Sequence, residues 1–439
     1  ATPLAVAPTP SRWEFLERTG PWFWTLVALG VVLRVCLAVA STGTRDVELW
    51  TEHASGVARE GLVLHYVSAA EFNHPPPVSV VMSWLWQLSQ SSGIAFSTLY
   101  RVPIALADGG AAALLWFALR GERRRAVCVA LYCVAPVALV LAGQHGNTDA
   151  LIGCCLLGCV LLASSGRAVL AGVLLGVSAW IKLPGLLAAP AIGFALPRWR
   201  DRCVCGAVAL AVAACGFLPT YLEAQRYAAE HAASAQPAVN ALVERVFGYQ
   251  GQYIHTVGNP PTFIWGLKNF FLSAWGHPDR WPELALWWID LRQRPIVDHS
   301  PVVALTLMFV FAFLRRRERS AVELGATIAL TYAIFYGLIE AWTFQYFGWS
   351  MALWMLASPR FALAANLLGG GFIYGLYAFV CGDWLLRTRW DFVGHPYWPE
   401  WLLLLRDAAL LCFVLFGLAA FVRALWREFQ ERMSVLTRI

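Results

Sequence analysis

Charge is what this sequence has least of. Only 14% of its 439 residues are Asp, Glu, Lys or Arg, while 59% are hydrophobic. Soluble globular chains carry about a quarter charged residues, so the shortage excludes that class and predicts an all-α polytopic membrane protein. Lysine is scarcer still. The net charge of +6 is mostly Arg, clustered between apolar runs, a pattern that orients a chain in a membrane and implies no nucleic-acid partner. GxxxxGK[ST] and GxGxxG are both absent, so there is no motif for a nucleotide-phosphate cradle. HExxH, paired CxxC and DxD are also missing, and neither a metal nor a cofactor is expected. Most of the eleven cysteines, such as Cys154, Cys155 and Cys159, lie inside apolar runs and read as small core residues. No internal repeat is visible.

What the chain has in abundance is apolar runs. They read as helices from Trp22 to Ala40, Val102 to Leu119, Ala126 to Ala142, Ala150 to Ser164, Ala168 to Ile181, Gly185 to Leu196 and Cys203 to Leu218. After a long polar stretch come Val302 to Leu314, Ala321 to Leu338, Trp342 to Ala357, Phe361 to Val380 and Trp401 to Phe421. A bundle of about 12–13 transmembrane helices is expected, several of them shorter than the roughly 20 residues of a perpendicular span. The first run contains Arg34 and follows a polar segment, so it reads as a span rather than a cleaved signal.

The clusters Arg120–Arg125, Arg198–Arg202 and Arg315–Arg319, with the Arg-containing tail, read as cytoplasmic. All are satisfied if Val78 to Leu88 lies at the interface and does not cross. The expected organisation is then a cytoplasmic segment 1–21, an N-terminal transmembrane module 22–220 with an outer loop 41–77, and a long outer loop 221–301 with amphipathic helices. A C-terminal transmembrane module 302–422 and a cytoplasmic tail 423–439 follow. This threading puts every histidine in or beside an outward segment.

Those segments hold the candidate chemistry. In "RDVELWTEHA", helical spacing places Asp46, Trp50 and His53 on one face. A carboxylate there can serve as general base toward a sugar hydroxyl, or simply cap a short helix. "FNHPPP" sets His74 at the lip of a rigid turn, which could equally be a stiff entry to the next helix. "GQHGNTDA" offers Gln144, His145, Asn147 and Asp149 between two runs, where Asn147 or Thr148 can cap the next helix or the segment is simply a polar tight turn, and "EAWTFQYFGW" offers Glu340, Gln345 and Tyr346. Arg34, Arg101, Asp108, Asp149 and Lys182 lie in or at the ends of apolar runs, where charges are costly and tend to pair. Arg34 with Asp108 is the expected structural ion pair. Lys182, at a helix end, could hold a phosphate.

In their order, these features resemble the GT-C superfamily of membrane glycosyltransferases, which use a polyprenyl-phosphate-linked sugar. The resemblance runs over about Arg34 to Pro190: an acidic residue early in the first outer loop (Asp46), a "(H/Y)PP" element ("NHPPP"), Arg101 with Asp108, a "GQ…D" turn from Gln144 to Asp149, and "G…K" from Gly176 to Lys182. A "QYF·W" element, Gln345 to Trp349, is a weaker echo. The His-x-Gln-Tyr-Asn motif of the dolichyl-phosphate glucosyltransferases is not reproduced. The resemblance implies an inverting transfer of mannose or glucose to a lipid-linked glycan, a protein or a cell-wall glycan, at the outer face of a bacterial inner membrane or the lumenal face of the endoplasmic reticulum. Asp46 would be the base, and Lys182 with Arg101 would hold the donor phosphate. Trp50, His53, His74, Gln144, His145, Asp149, Gln345 and Tyr346 would bind substrate, with membrane lipids around the bundle. The alternatives are a transporter or lipid flippase, whose intramembrane charges would line a pathway, and a non-catalytic subunit of a membrane assembly.

Overall fold

The computed structural model describes residues 19–69, 71–230, 235–247, 264–265, 299–339, 342–389 and 399–436. Glu340 and most of the loop 221–301, where amphipathic helices were expected, lie outside the described residues.

An apolar environment leaves backbone N–H and C=O groups only one another as partners, and the described chain is accordingly almost all helix. In order, the helices are α1 (Pro21–Ala40), α2 (Arg45–Glu60), α3 (Leu62–Ser68), α4 (Pro76–Ser92), α5 (Phe96–Ala118), α6 (Arg125–Cys133) and α7 (Pro136–Leu139), which runs into a π-turn at Val140–His145. They continue as α8 (Asp149–Ser164), α9 (Ala168–Ile181), a 3-10 stretch Leu183–Ala188 leading to α10 (Ala189–Ala195), α11 (Trp199–Glu230) and α12 (Ala235–Phe247). The last group is α13 (Ser300–Leu314), α14 (Ala321–Leu338), α15 (Trp354–Ala357), α16 (Pro359–Cys381) and α17 (Glu400–Leu436). Ile264–Trp265 pairs antiparallel with Trp342–Thr343.

Among the described residues, six helices are long and apolar enough to cross a membrane, or seven if the bent pair α6 and α7, angled by 42°, counts as one span. α8, α9, the piece Leu183–Ala195 and α13 are shorter apolar helices. This is an all-α polytopic membrane protein.

Two sets of contacts define the ends of the bundle. At one end, Arg101 near the start of α5 reaches Ser41 just past α1 and Gly143 in the π-turn. At the other, Arg125 stacks on Trp116 near the end of α5, and Arg316 pairs with Glu428 of α17.

The run Trp342–Ala357, expected as a helix, is a different kind of pass. It is a strand residue pair, two 3-10 stretches (Phe344–Trp349 and Met351–Leu353) and the single turn α15. It still joins the two ends, since Gln345 touches His145 while the Leu356 carbonyl accepts from Arg124 at 3.4 Å. Two glycines let it press against α8: a Cβ on Gly348 would sit 2.9 Å from Asp149 Cβ, and one on Gly153 would sit 2.8 Å from the Gly348 carbonyl. Non-helical backbone at this depth is tolerated only where protein surrounds it, and residues 346–356 are buried throughout.

α4 is longer than the eleven residues expected, and both its ends lie at one end of the bundle. Its first turn packs at the end of the bundle holding Arg101, where Pro77 and Trp180 lie against Gly216. Its last turns return to that same end, where Trp86 meets Phe96 at the start of α5. Val81, Trp84 and Leu88, spaced along one side, are exposed, as suits a helix resting at an interface. The boundaries expected at 220 and 422 both fall inside continuous helices, α11 and α17.

Candidate functional site

The site is organised around the turn "GQHGNTD". Three of its carbonyls are tied to other elements. Gly143 O accepts from Arg101, His145 O from the Thr44 hydroxyl at 2.8 Å, and Gly146 O from the Tyr100 hydroxyl at 2.6 Å. Gly146 has φ +80°, and a Cβ there would lie 2.8 Å from Tyr100 Oη, so only glycine fits. The π-turn Val140–His145 leads directly into it, a local unwinding often found at functional sites.

Asp46 stands opposite, in the first turn of α2. It is not the cap of that helix: Thr44 is, its hydroxyl accepting from Asp46 N at 3.3 Å. The carboxylate is thereby left free to face the turn. Its Oδ2 accepts from Asn147 Nδ2 at 2.6 Å and lies 3.3 Å from His145 Nε2. The same Nε2 lies 2.9 Å from Gln345 Oε1. Two acceptors around one nitrogen require it to carry a hydrogen, while Nδ1 meets the Tyr377 hydroxyl, whose ring is stacked on the imidazole. Burial pushes the Asp46 pKa up, but the His145 imidazole, its hydrogen bond and that of Asn147, and the Lys182 charge together hold it below the usual carboxylate range. Asp46 remains 27% exposed, which sets it apart from its buried neighbours.

Lys182 closes the other side. α9 ends at Ile181, and Lys182 adopts an extended conformation as its C-cap. Its Nζ donates to Asp149 Oδ1 at 3.1 Å and lies 5.1 Å from the centre of the Tyr346 ring. Asp149, first residue of α8, also accepts from Trp349 Nε1, and Trp349 stacks on Tyr346 at 4.0 Å. The Lys182 side chain keeps 17% exposure while Asp149 is buried.

Trp50 and His74 form a stacked pair 3.8 Å apart. Burial, reinforced by Lys182 and His53, holds His74 well below the ordinary histidine range, so it is neutral. Trp50 Nε1, His74 Nδ1 and both amide atoms of Gln144 are buried without a hydrogen-bond partner. Buried polar atoms are ordinarily satisfied, and leaving one unmade costs about 1–3 kcal/mol. His53 faces a separate partner, His65, at 3.1 Å.

Arg101 is given over to the bundle. Its guanidinium donates to Ser41 O, Leu37 O, Ser41 Oγ and Gly143 O, and it is 1% exposed. Its Nε is buried without a hydrogen-bond partner. Arg34 and Asp108 form the expected ion pair, with Nε to Oδ2 at 2.7 Å and both side chains 1% exposed. Tyr132 adds a bond to Asp108 at 2.5 Å, and carbonyls of Gly30, Tyr132 and Cys133 take three more Arg34 donors, so that each guanidinium nitrogen has a partner.

The segments chosen from the sequence thus bring Asp46, His145, Gln345, Asp149, Lys182 and Tyr346 to one end of the bundle. Asn147 and Trp349 lie in the motifs named above but were not read as partners of Asp46 and Asp149, and Tyr377, which meets His145, was not singled out. Tyr377 sits inside an apolar run with no local pattern to mark it. Among the described residues no three His, Cys, Asp or Glu side chains gather as a metal would require. No family model matches this chain, and no curated protein matches it.

Proposed function

We propose that this protein is an integral-membrane inverting glycosyltransferase that moves a hexose, mannose or glucose, from a polyprenyl-phosphate carrier to an acceptor hydroxyl. The observation that carries the reading is the presence, at one end of the bundle, of two partly exposed side chains of opposite charge, Asp46 held by His145 and Asn147 and Lys182 held by Asp149. Displacement at an anomeric carbon needs those two charges: a base for the incoming hydroxyl and a cation for the departing phosphate.

In this mechanism Asp46 takes the proton of the acceptor hydroxyl as its oxygen attacks. Asn147 and His145 aim the carboxylate and keep it ionised. Lys182 stabilises the negative charge that develops on the leaving phosphate, exchanging part of its contact with Asp149 for it. Gln144, Trp50 and His74 offer the unpartnered polar atoms that sugar hydroxyls would satisfy. The Arg clusters at the opposite end favour that end as cytoplasmic, so the site would face the periplasm, the exterior or the lumen. Transport is less well supported, because Arg34 and Asp108 are sealed and saturated by protein partners rather than lining a route.

The test follows label from polyprenyl-phosphate mannose and polyprenyl-phosphate glucose in membranes containing the wild type or Asp46→Asn. Product from one donor that disappears in the variant, at equal protein level, supports the reading and names the sugar. Equal product in both removes Asp46 as base, and no product from either donor in the wild type moves the weight to transport.

A further inference from the structure

α17, with 37 residues, is the longest of the described helices. At 1.5 Å per residue it runs about 55 Å, whereas the hydrocarbon core of a bilayer is about 30 Å thick. Its inner face is spent on the bundle. Phe413 lies among Tyr336, Phe347, Trp354 and Phe361. Gly417 presses on α14, where a Cβ would come within 3.1 Å of the Ile334 nitrogen, and Phe421 meets Phe311 of α13 at 6.4 Å.

The opposite face has a pattern of its own. Leu404, Leu411, Leu418 and Leu425 recur every seven residues, and Leu415, Val422 and Phe429 form a second row with the same repeat. All seven are exposed, from 40% at Leu418 to 63% at Leu415. Two such rows are the d and a positions of a coiled coil. Lipid tails ask for no such repeat, and a plain helical face drifts by about 20° per heptad against it. Nor does the stripe stop with the span. α13 ends at Leu314, and Arg316, Arg317 and Glu318 just beyond it pair with Glu428, Glu431 and Arg427 of α17. Arg317, Glu431 and Arg427 are more than half exposed, so this turn of α17 stands at the polar edge of the bundle. Phe429 lies on that turn and Leu425 on the one before, both facing outward. The seam ends at Arg432, the next d position, which turns back to Glu428 of its own chain at 3.4 Å.

We propose that two copies of this chain associate along α17, as a parallel, left-handed coiled coil that crosses the membrane and continues past the Arg-rich end of the bundle. A bilayer holds both copies in the same orientation, so the two-fold axis stands along the membrane normal and like residues meet across it. Val422 at an a position, with leucine at every d position from 404 to 425, favours two strands over more. Ala419, exposed beside the seam, is small enough to let the second helix come close. The inference is independent of the glycosyl-transfer reading and holds whatever the site at the other end does.

The test has two arms, both on the full-length protein. In membranes of the expressing cells, a photoreactive benzophenone side chain replaces Leu411, Leu415, Leu418 or Leu425 singly, or Leu210, an exposed residue of α11. The four seam positions should give adducts of two chains, and Leu210 should not. Adducts with lipid alone would give the face to the bilayer, adducts with a different protein would give it to another partner, and equal two-chain adducts from Leu210 would mark chance collision; each overturns the proposal. In liposomes, photobleaching steps of singly labelled purified chains count the copies in each assembly. The wild type should be mostly paired, and Leu425→Glu with Phe429→Glu should raise the dissociation constant at least about tenfold. Both positions are exposed at the polar edge, so this variant keeps the fold, and Leu415→Ala with Leu418→Ala repeats the measurement within the span. A wild type that stays single at every density, assemblies of three or more, or pairing that both variants retain ends the inference.

Discussion

Two of the ionic clusters in this bundle differ in what surrounds them. Around Arg34 and Asp108, Tyr132 and three backbone carbonyls take up the donors and acceptors, and both charges are 1% exposed. Around Asp46 and Lys182 the accounting stays open: both keep access to solvent, and Trp50, His74 and Gln144 hold polar atoms without partners nearby in the chain. A saturated buried pair fixes helices in place. An unsaturated one at the mouth of the bundle keeps interactions in reserve for something that arrives. Charge at depth alone does not separate structure from function; unspent hydrogen-bonding capacity does.

The contrast can be broken most forcefully at Asp46. Asp46→Asn keeps an oxygen for Asn147 and His145, so the variant should melt within about 1 kcal/mol of the wild type while transfer falls by about 10²–10⁴-fold, the range for loss of a general base. The reverse holds at the saturated pair. Asp108→Ala strands Arg34 and should cost about 3–5 kcal/mol, seen as a lower melting temperature in detergent and poor yield, whereas the double change Arg34→Met with Asp108→Leu should regain most of it. A smaller effect sharpens the comparison through pH. Asp46 titrates below the usual carboxylate range, so the folded state gains stability from its ionisation above the unfolded value and loses it as pH falls through the depressed one. The acid limb of transfer should therefore lie at low pH, and Asn147→Ala, which removes one lowering hydrogen bond, should move that limb upward. The least effect is expected at Thr44→Ala, which deletes the cap of α2 and its bond to His145 O for about 1 kcal/mol, read as a small drop in melting temperature.

Much of this was legible in the sequence because ionisable residues in apolar runs are expensive and few. Arg34 with Asp108, and Asp149 and Lys182, could be picked out one by one for that reason, while Asp46, His145 and Gln345 stood out as polar groups in the segments between apolar runs, and the alternation of Arg-rich and His-rich loops placed the latter at one end. The supporting contacts were not legible. Asn147 to Asp46, Tyr377 to His145 and Trp349 to Asp149 each join residues about a hundred or more positions apart, and no local spacing encodes such pairs. The carbonyl contacts of Arg101 were not legible either, because a guanidinium that serves backbone carbonyls and one that serves a phosphate look alike in a sequence. The run 342–357 read as a helix because a continuous apolar stretch carries no period; only the approach of Gly348 to Asp149 and Ala150 distinguishes it.

That irregular pass also bears on how the chain is made. A helix can wait in lipid by itself, since its backbone is satisfied from within. Residues 344–357 cannot, because 3-10 turns and breaks leave peptide groups whose solvation in hydrocarbon would cost several kcal/mol each. The segment can be accommodated only once α8 and α14, and then α16, are present to enclose it. Biogenesis should therefore pause there: nascent chains released just after residue 358 should leave this stretch outside the bilayer, and chains extended through Cys381 should draw it in.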